Sequence, residues 1–249
     1  MKLDGKVSLV TGGASGIGAA TALELARLGS DIAITGRKID GRAEAVKKKV
    51  GSLGRRCFLV AADMSIPEEV ARAVDETVAQ LGSIDVLVHS AGGAVPGSLL
   101  QITPEAWYGA FDIHVHAIFH LCRAIVPLMK KKHEGAIILI SSGAGSRGCM
   151  GAIAYGVVKG ALPQFGRALA RELADDNIRV NVVSPGVIRT PFQDFLTPEQ
   201  AKNNIDNRIP LHREGKPEDV AGVIAMLVSN DFITGETVAI DGGMTMRIA

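Results

Sequence analysis

Eight residues, Thr11 to Gly18 (TGGASGIG), constrain what this chain can fold into more than any other stretch. They stand between a β-branched run, Val7 to Thr11 (VSLVT), and a helical pattern, AATALELARLG. Glycine reaches backbone conformations closed to other residues, so the chain can pass from strand to helix in a tight turn with its backbone bare. A helix N-terminus offers free N–H groups and the positive end of a dipole, which suits a pyrophosphate. Strand, glycine turn and helix make the first half of a dinucleotide-binding βαβ unit, with Gly12, Ser15, Gly16, Ile17 and Gly18 as the expected contacts. The glycine spacing is not the commoner GxGxxG, and an ordinary strand-to-helix turn is the competing reading. The second strand, Asp31 to Thr35 (DIAIT), arrives where such a unit needs it.

The end of that strand bears on the cofactor. An NAD-binding unit usually places a carboxylate there to hold the adenosine ribose. Here Gly36 has no side chain, and Arg37 follows, a residue suited to pairing with a 2′-phosphate. The expectation is NADP(H) preferred over NAD(H). The plainer alternative leaves Arg37 and Lys38 as solvated residues before a helix. Asp63, beside Met64 after the run Cys57 to Ala61, either accepts from the adenine amino group or caps the next helix.

Further apolar runs, Ile84 to His89, Ala136 to Ile140, Ile178 to Val183 and Glu236 to Ile240, read as strands. Helical patterns lie between them, at about 104–132, 154–174 and 217–229. Regular alternation predicts an α/β fold: a single Rossmann-type doubly wound parallel sheet of about seven strands, helices on both faces, one domain over residues 1–249. The one long irregular stretch, 190–215, holds Phe192, Phe195 and Leu196 and is read as a substrate lid.

Composition narrows the function class. Lys and Arg total 27 against 26 Asp and Glu, so no basic excess points to nucleic acid. No apolar run reaches the ~18 residues that span a bilayer, so no membrane partner is expected. The N-terminus lacks a signal-peptide pattern. Three cysteines, Cys57, Cys122 and Cys149, without metal-like spacing fit a reducing, cytoplasmic setting. His116 and His120 are one helical turn apart with no convincing third ligand, so no metal is expected.

The chemistry gathers between Ser142 and Lys159. Tyr155 and Lys159 are i, i+4 on a helix and share a face. A lysine ammonium near a phenol favours the phenolate, so Lys159 is expected to draw the Tyr155 pKa down toward neutrality. Tyr155 then serves as general acid and base. Ser142 follows the strand AIILI, where open α/β sheets place their ligands. Cys149 lies between Ser142 and Tyr155, as pocket lining or small apolar filler.

With these motifs in place, nearly the whole chain resembles the short-chain dehydrogenase/reductase family. TGGASGIG matches its cofactor turn, Asp63 its adenine acid, and Ala91-Gly92 the tail of its Asn-Asn-Ala-Gly motif. Ser142, Tyr155 and Lys159 match its catalytic set. Pro185, Gly186, Val187, Ile188 and Thr190 match the turn that brackets the nicotinamide. The C-terminal part is similar to bacterial 3-oxoacyl-carrier-protein reductases and glucose dehydrogenases. The resemblance implies that Ser142 polarises a substrate carbonyl, Tyr155 transfers the proton, and Lys159 holds the nicotinamide ribose. It also implies a homotetramer, which a sedimentation profile showing only monomer would exclude.

Two positions depart from the family pattern. His89 stands where the motif begins with Asn, and His114 stands where the central helix carries an Asn that supports a proton relay. Imidazole both donates and accepts hydrogen bonds, so His114 is a candidate catalytic residue, with core packing as the alternative. The expected substrate is a small-molecule carbonyl or secondary alcohol. A medium-sized apolar ketone suits Met150, Phe192 and Phe195. A carrier-protein thioester is the other choice, docked on Arg171 and Lys130 to Lys132. The competing class is an NADP(H)-binding regulatory protein with little or no turnover, motivated by the two histidines.

Overall fold

The computed structural model describes residues 1–193 and 196–246. Seven strands form one sheet: β1 (Val7–Thr11), β2 (Asp31–Gly36), β3 (Cys57–Ala61), β4 (Val86–His89), β5 (Gly135–Ile140), β6 (Ile178–Pro185) and β7 (Thr237–Ile240). Their order is β3-β2-β1-β4-β5-β6-β7, and every neighbouring pair runs parallel. Both faces are covered, which is why β1, β5 and β6 are buried at every position and β5 (GAIILI) reads as an unbroken apolar run.

Side chains alternate across the sheet into two cores. On one face, Val7 and Leu9 of β1 join α3 (Pro67–Leu81), α5 (Ala117–Lys132) and α6 (Ile153–Leu173). On the other, Val10 joins α1 (Gly16–Arg27), α2 (Gly41–Ser52) and α8 (Pro217–Ser229). The chain order reverses between β1 and β4, so a crevice opens at their carboxyl ends.

Three expectations need correction. The helix expected over 104–132 is α4 (Pro104–Phe111), a π-helical turn at Asp112–His116, then α5. One extra residue in a turn leaves no mark in apolar periodicity, and such turns recur at functional sites. The run Pro104–Lys132 is also long and apolar enough to cross a membrane by length and composition. Here it is a core helix, with Ile118, Leu121, Ile125 and Met129 packed beneath the sheet. The stretch 190–215 is not irregular: it holds a 3₁₀ turn, α7 (Pro198–Asn203) with a Thr197–Gln200 capping box, and a second π-turn at Asn204–Arg208. Phe195 lies outside the described residues.

Candidate active site

A cavity of about 1350 Å³ runs along the crevice, from Arg37 and Asp63 at one end to Ser142, Tyr155 and Phe192 at the other. Its floor is the glycine turn. Gly12 has φ +65, and a Cβ there would lie 2.9 Å from the Cα of Ala91. A Cβ on Gly18 would stand 2.3 Å from the Gly12 carbonyl oxygen, so Gly18 lets α1 begin against the turn. Gly18 is buried and is not among the residues lining the cavity, a correction to its expected role as a contact. Ser15, Gly16 and Ile17 do face the cavity. Thr190 stands over Gly16, with its Cγ2 3.1 Å from where a Cβ would be. Pro185, Gly186, Val187 and Ile188 continue that wall, and Ala91 and Gly92 form the opposite one. This bare cradle, with side chains excluded from its floor, fits a dinucleotide.

At the far end, Arg37 is exposed and has no hydrogen bond or ion pair among the described residues. Asp63 lines the cavity beside Met64, and its Oδ1 accepts from Ser65 N and Oγ. It does not cap the next helix, whose N-cap is Ile66 without a side-chain hydrogen bond, a correction to the capping alternative for Asp63. Burial would raise its carboxyl, but the Ser65 hydrogen bonds and the Arg37 charge outweigh this and hold it below the usual range.

Ser142, Tyr155 and Lys159 meet because two backbones touch. A Cβ on Gly145 would lie 2.6 Å from the Lys159 carbonyl carbon, so the loop after β5 rests directly on α6. Ser141 Oγ donates to the Lys159 carbonyl at 2.7 Å. Ser142 Oγ accepts from Ala144 N at 3.2 Å, and its hydroxyl favours the charged form of the Tyr155 phenol. Lys159 is buried, donates from Nζ to the Ile140 carbonyl at 2.7 Å, and lies 5.7 Å from the Tyr155 ring centre. The electrostatics differ from expectation. Burial pushes the Tyr155 phenol up, and the Ser142 hydroxyl only partly offsets it. Burial also lowers Lys159 to about 7. Desolvation penalises both charged forms and sets the direction of both shifts.

The two histidines are neutral and bonded to backbone. Thr11 and His89 are register partners on β1 and β4. Thr11 Oγ1 accepts from Ser90 N and Ala91 N, each at 3.1 Å, and shares a 2.9 Å hydrogen bond with His89 Nδ1. His89 Nε2 donates to the Ile113 carbonyl in the π-turn at 3.1 Å. His114 is 1% exposed, donates from Nε2 to the Gly93 carbonyl at 3.1 Å, and meets the Tyr155 ring edge-on at 5.8 Å. Its Nδ1 is buried without a partner.

Burial, then the Lys159 charge, pushes His89 down to about 4 and His114 to about 3, from 6.5. Both must stay unprotonated in the fold, whereas the unfolded chain protonates them near 6.5. Their contribution to stability is complete above about pH 6.5 and is lost as pH falls toward their folded values, at ~1.4 kcal/mol per unit for each ring. We expect the urea midpoint to fall as pH drops from 6.5 to 4. A His89→Asn/His114→Asn variant should have a slope shallower by up to two protons; an unchanged slope would refute this account.

The comparisons agree with this geometry. Residues 12–245 match the family model described as Enoyl-(Acyl carrier protein) reductase. The chain belongs to the short-chain dehydrogenase/reductase family. It is 36% identical over 248 residues to the 3-oxoacyl-(acyl-carrier-protein) reductase FabG of Thermotoga maritima, covering 99% of this chain and all of that one. The L-sorbose reductase of Gluconobacter frateurii, solved with NADPH and L-sorbose, superposes with a TM-score of 0.93 at 31% identity, covering 100% and 99% of the two chains. A 7α-hydroxysteroid dehydrogenase, solved with NADH and 7-oxo glycochenodeoxycholic acid, superposes with a TM-score of 0.93 at 28% identity, covering 100% and 97%. The protein is an enzyme, an oxidoreductase, which sets aside the purely regulatory reading.

Within this short-chain dehydrogenase/reductase the substrate end agrees with expectation at Phe192 and differs from it elsewhere. Met150 is fully exposed and lies off the cavity, while Cys149 lines it. Phe192 packs on Tyr155 with ring centres 6.0 Å apart. Arg147, Met244 and Thr245 also line the cavity, and nothing in the local pattern marks them. The expected docking cations are partly consumed: Lys130 pairs with Asp176 at 2.7 Å and Lys132 with buried Asp85 at 2.6 Å. Among the described residues no group of three His, Cys, Asp or Glu side chains is placed to hold a metal.

Proposed function

We propose that this enzyme interconverts a ketone and a secondary alcohol using NADP(H), with Tyr155 as general acid and base. The observation that carries this reading is that Ser142, Tyr155 and Lys159 line the same end of a glycine-floored cavity, with Ser142 acting on the Tyr155 phenol. The dinucleotide supplies or accepts the hydride when bound. Ser142 donates a hydrogen bond to the substrate oxygen and polarises the carbonyl. Tyr155 delivers the proton in reduction and removes it in oxidation. Lys159 holds the nicotinamide ribose. Arg37 reads the 2′-phosphate, and Asp63 takes the adenine amino group with its free carboxylate oxygen. One domain carries both cofactor and catalytic residues, with 190–215 as a lid whose Phe192 reaches Tyr155.

Val95, Phe192 and Met244 give the substrate end an apolar lining, which favours a medium-sized ketone. The identity to FabG proteins favours a second reading, a carrier-protein thioester, although two of its expected docking lysines are already paired. A cytoplasmic homotetramer completes the proposal; Tyr108, Phe119 and Val157 expose apolar surface on the helices expected to pair. The test is NADPH and NADH consumption against ketones, aldehydes and acetoacetyl thioesters, with the Tyr155→Phe variant alongside.

His114 belongs to the same proposal as a positioning residue. Its unpartnered Nδ1 is an acceptor beside Tyr155 that can extend the proton relay, and its low pKa keeps it neutral while it does so. His114→Leu should lower kcat ~10- to 100-fold, while His114→Asn, which keeps donor and acceptor, should restore most of it with an altered pH profile. Turnover and pH profile unchanged in both variants would remove the relay role.

A further inference from the structure

The last described turn, 241–246, is far from Ser142 in sequence and lies against its loop in space. Asp241 organises it: one carboxylate oxygen accepts from Gly243 N at 2.9 Å, the other from Thr245 N at 2.8 Å and from Thr245 Oγ1. Arg147 Nε and Nη2 then both donate to the Thr245 carbonyl, the first at 2.9 Å. This clasps the turn onto the loop that carries the serine. The contact is close: a Cβ on Gly143 would stand 3.2 Å from both the Met244 methyl and the Thr245 methyl.

The turn also meets the other walls. Gly186 N donates to the Ile240 carbonyl at 3.0 Å, and a Cβ on Gly186 would lie 2.7 Å from the Asp241 Cα. Leu211 N donates to the Gly242 carbonyl at 3.2 Å, and a Cβ on Gly243 would lie 3.2 Å from Pro210. Met244 thus stands where the serine loop, the Gly186 turn and the end of the 190–215 stretch converge, and its side chain lines the cavity that holds Ser142 and Tyr155. A thioether is long and flexible enough to fill such a gap and to yield to ligands of different shape.

We propose that Met244 sets the size of carbonyl substrate the site accepts, and that Arg147 is the positioning residue that holds Met244 there. This rests on the ketone–alcohol reading proposed above. The experiment measures kcat/KM along methyl ketones from butanone to branched and aryl members, and along 3-oxoacyl thioesters of rising length. Each variant is first checked for its Tm and for cofactor binding.

Met244→Ala should raise the aryl-to-butanone ratio about tenfold, and Met244→Trp should lower it by a similar factor. Arg147→Ala should move the ratio in the direction of Met244→Ala, and Arg147→Lys, which can still donate to Thr245, should restore part of the wild-type ratio. Because Arg147 acts through Met244, the double variant should match Met244→Ala rather than the product of the two effects. Ratios that stay within about twofold of wild type in both folded Met244 variants would overturn the size role. Independent, multiplying effects would overturn the Arg147 part. A folded wild type that reduces no substrate in either series with either nicotinamide would overturn the ketone and thioester readings above and this inference with them.

Discussion

Tyr155→Phe is expected to lower kcat by about 10³-fold or more while leaving cofactor affinity within a few-fold of wild type. The substitution removes one oxygen and keeps the ring, whose packing against His114, Phe192 and the Lys159 ammonium does not involve that oxygen. What is lost is the phenol that interacts with Ser142 and can exchange a proton with a substrate oxygen held there. The direction of the Tyr155 shift adds a pH signature. Burial holds the phenol protonated above its ordinary range, so in the free enzyme it is poised as an acid. Ketone reduction should lose activity through neutrality only as Lys159, lowered to about 7, gives up its charge, and should fall again at high pH as the phenol ionises, whereas alcohol oxidation gains from that ionisation. A Phe variant within tenfold of wild type would mean that the proton comes from elsewhere.

Several parts of this site were legible because they are local. The glycine turn, the serine at a strand end and the Tyr–Lys pair each depend on a few consecutive residues whose spacing fixes their placement. The strands declared themselves as apolar runs because both sheet faces are covered. What escaped were features set by distant contacts. The π-turn needs one added residue between α4 and α5, and its Ile113 carbonyl is taken by His89 from β4. The hydrophobic pattern carries neither fact. Arg147 and the turn that carries Met244 and Thr245 meet because β6, β7 and the loop after β5 share one end of the sheet. The Tyr155 electrostatics were misjudged for a related reason: helical spacing shows that a lysine is near, whereas the sign of the shift depends on how much water both groups lose.

The cofactor preference is the other large effect, and here the fold does not decide. One structural neighbour was solved with NADPH and another with NADH, at the same TM-score of 0.93. The decision falls to the end of β2. Arg42 is occupied, since its Nε and Nη2 both bond Asp40, which itself caps α2. Arg37 is the exposed guanidinium without such a partner among the described residues. A charge-assisted hydrogen bond to a phosphate contributes ~2 kcal/mol, so Arg37→Ala should lower kcat/KM for NADPH roughly 30-fold and leave NADH within about threefold. Gly36 tests the same point from the other side. It is half-buried, its φ is not positive, and a Cβ there would meet only the Lys38 carbonyl, at 3.3 Å. A carboxylate can therefore be added once the Lys38 carbonyl yields by a few tenths of an ångström. Gly36→Asp should repel a 2′-phosphate and accept from ribose hydroxyls, so in combination with Arg37→Ala it should invert the preference toward NADH. An NADPH-to-NADH ratio that ignores Arg37→Ala would move the phosphate to Lys38 or leave it in solvent. A wild type that uses NADH alone would show that the absent carboxylate at Gly36 does not govern the choice.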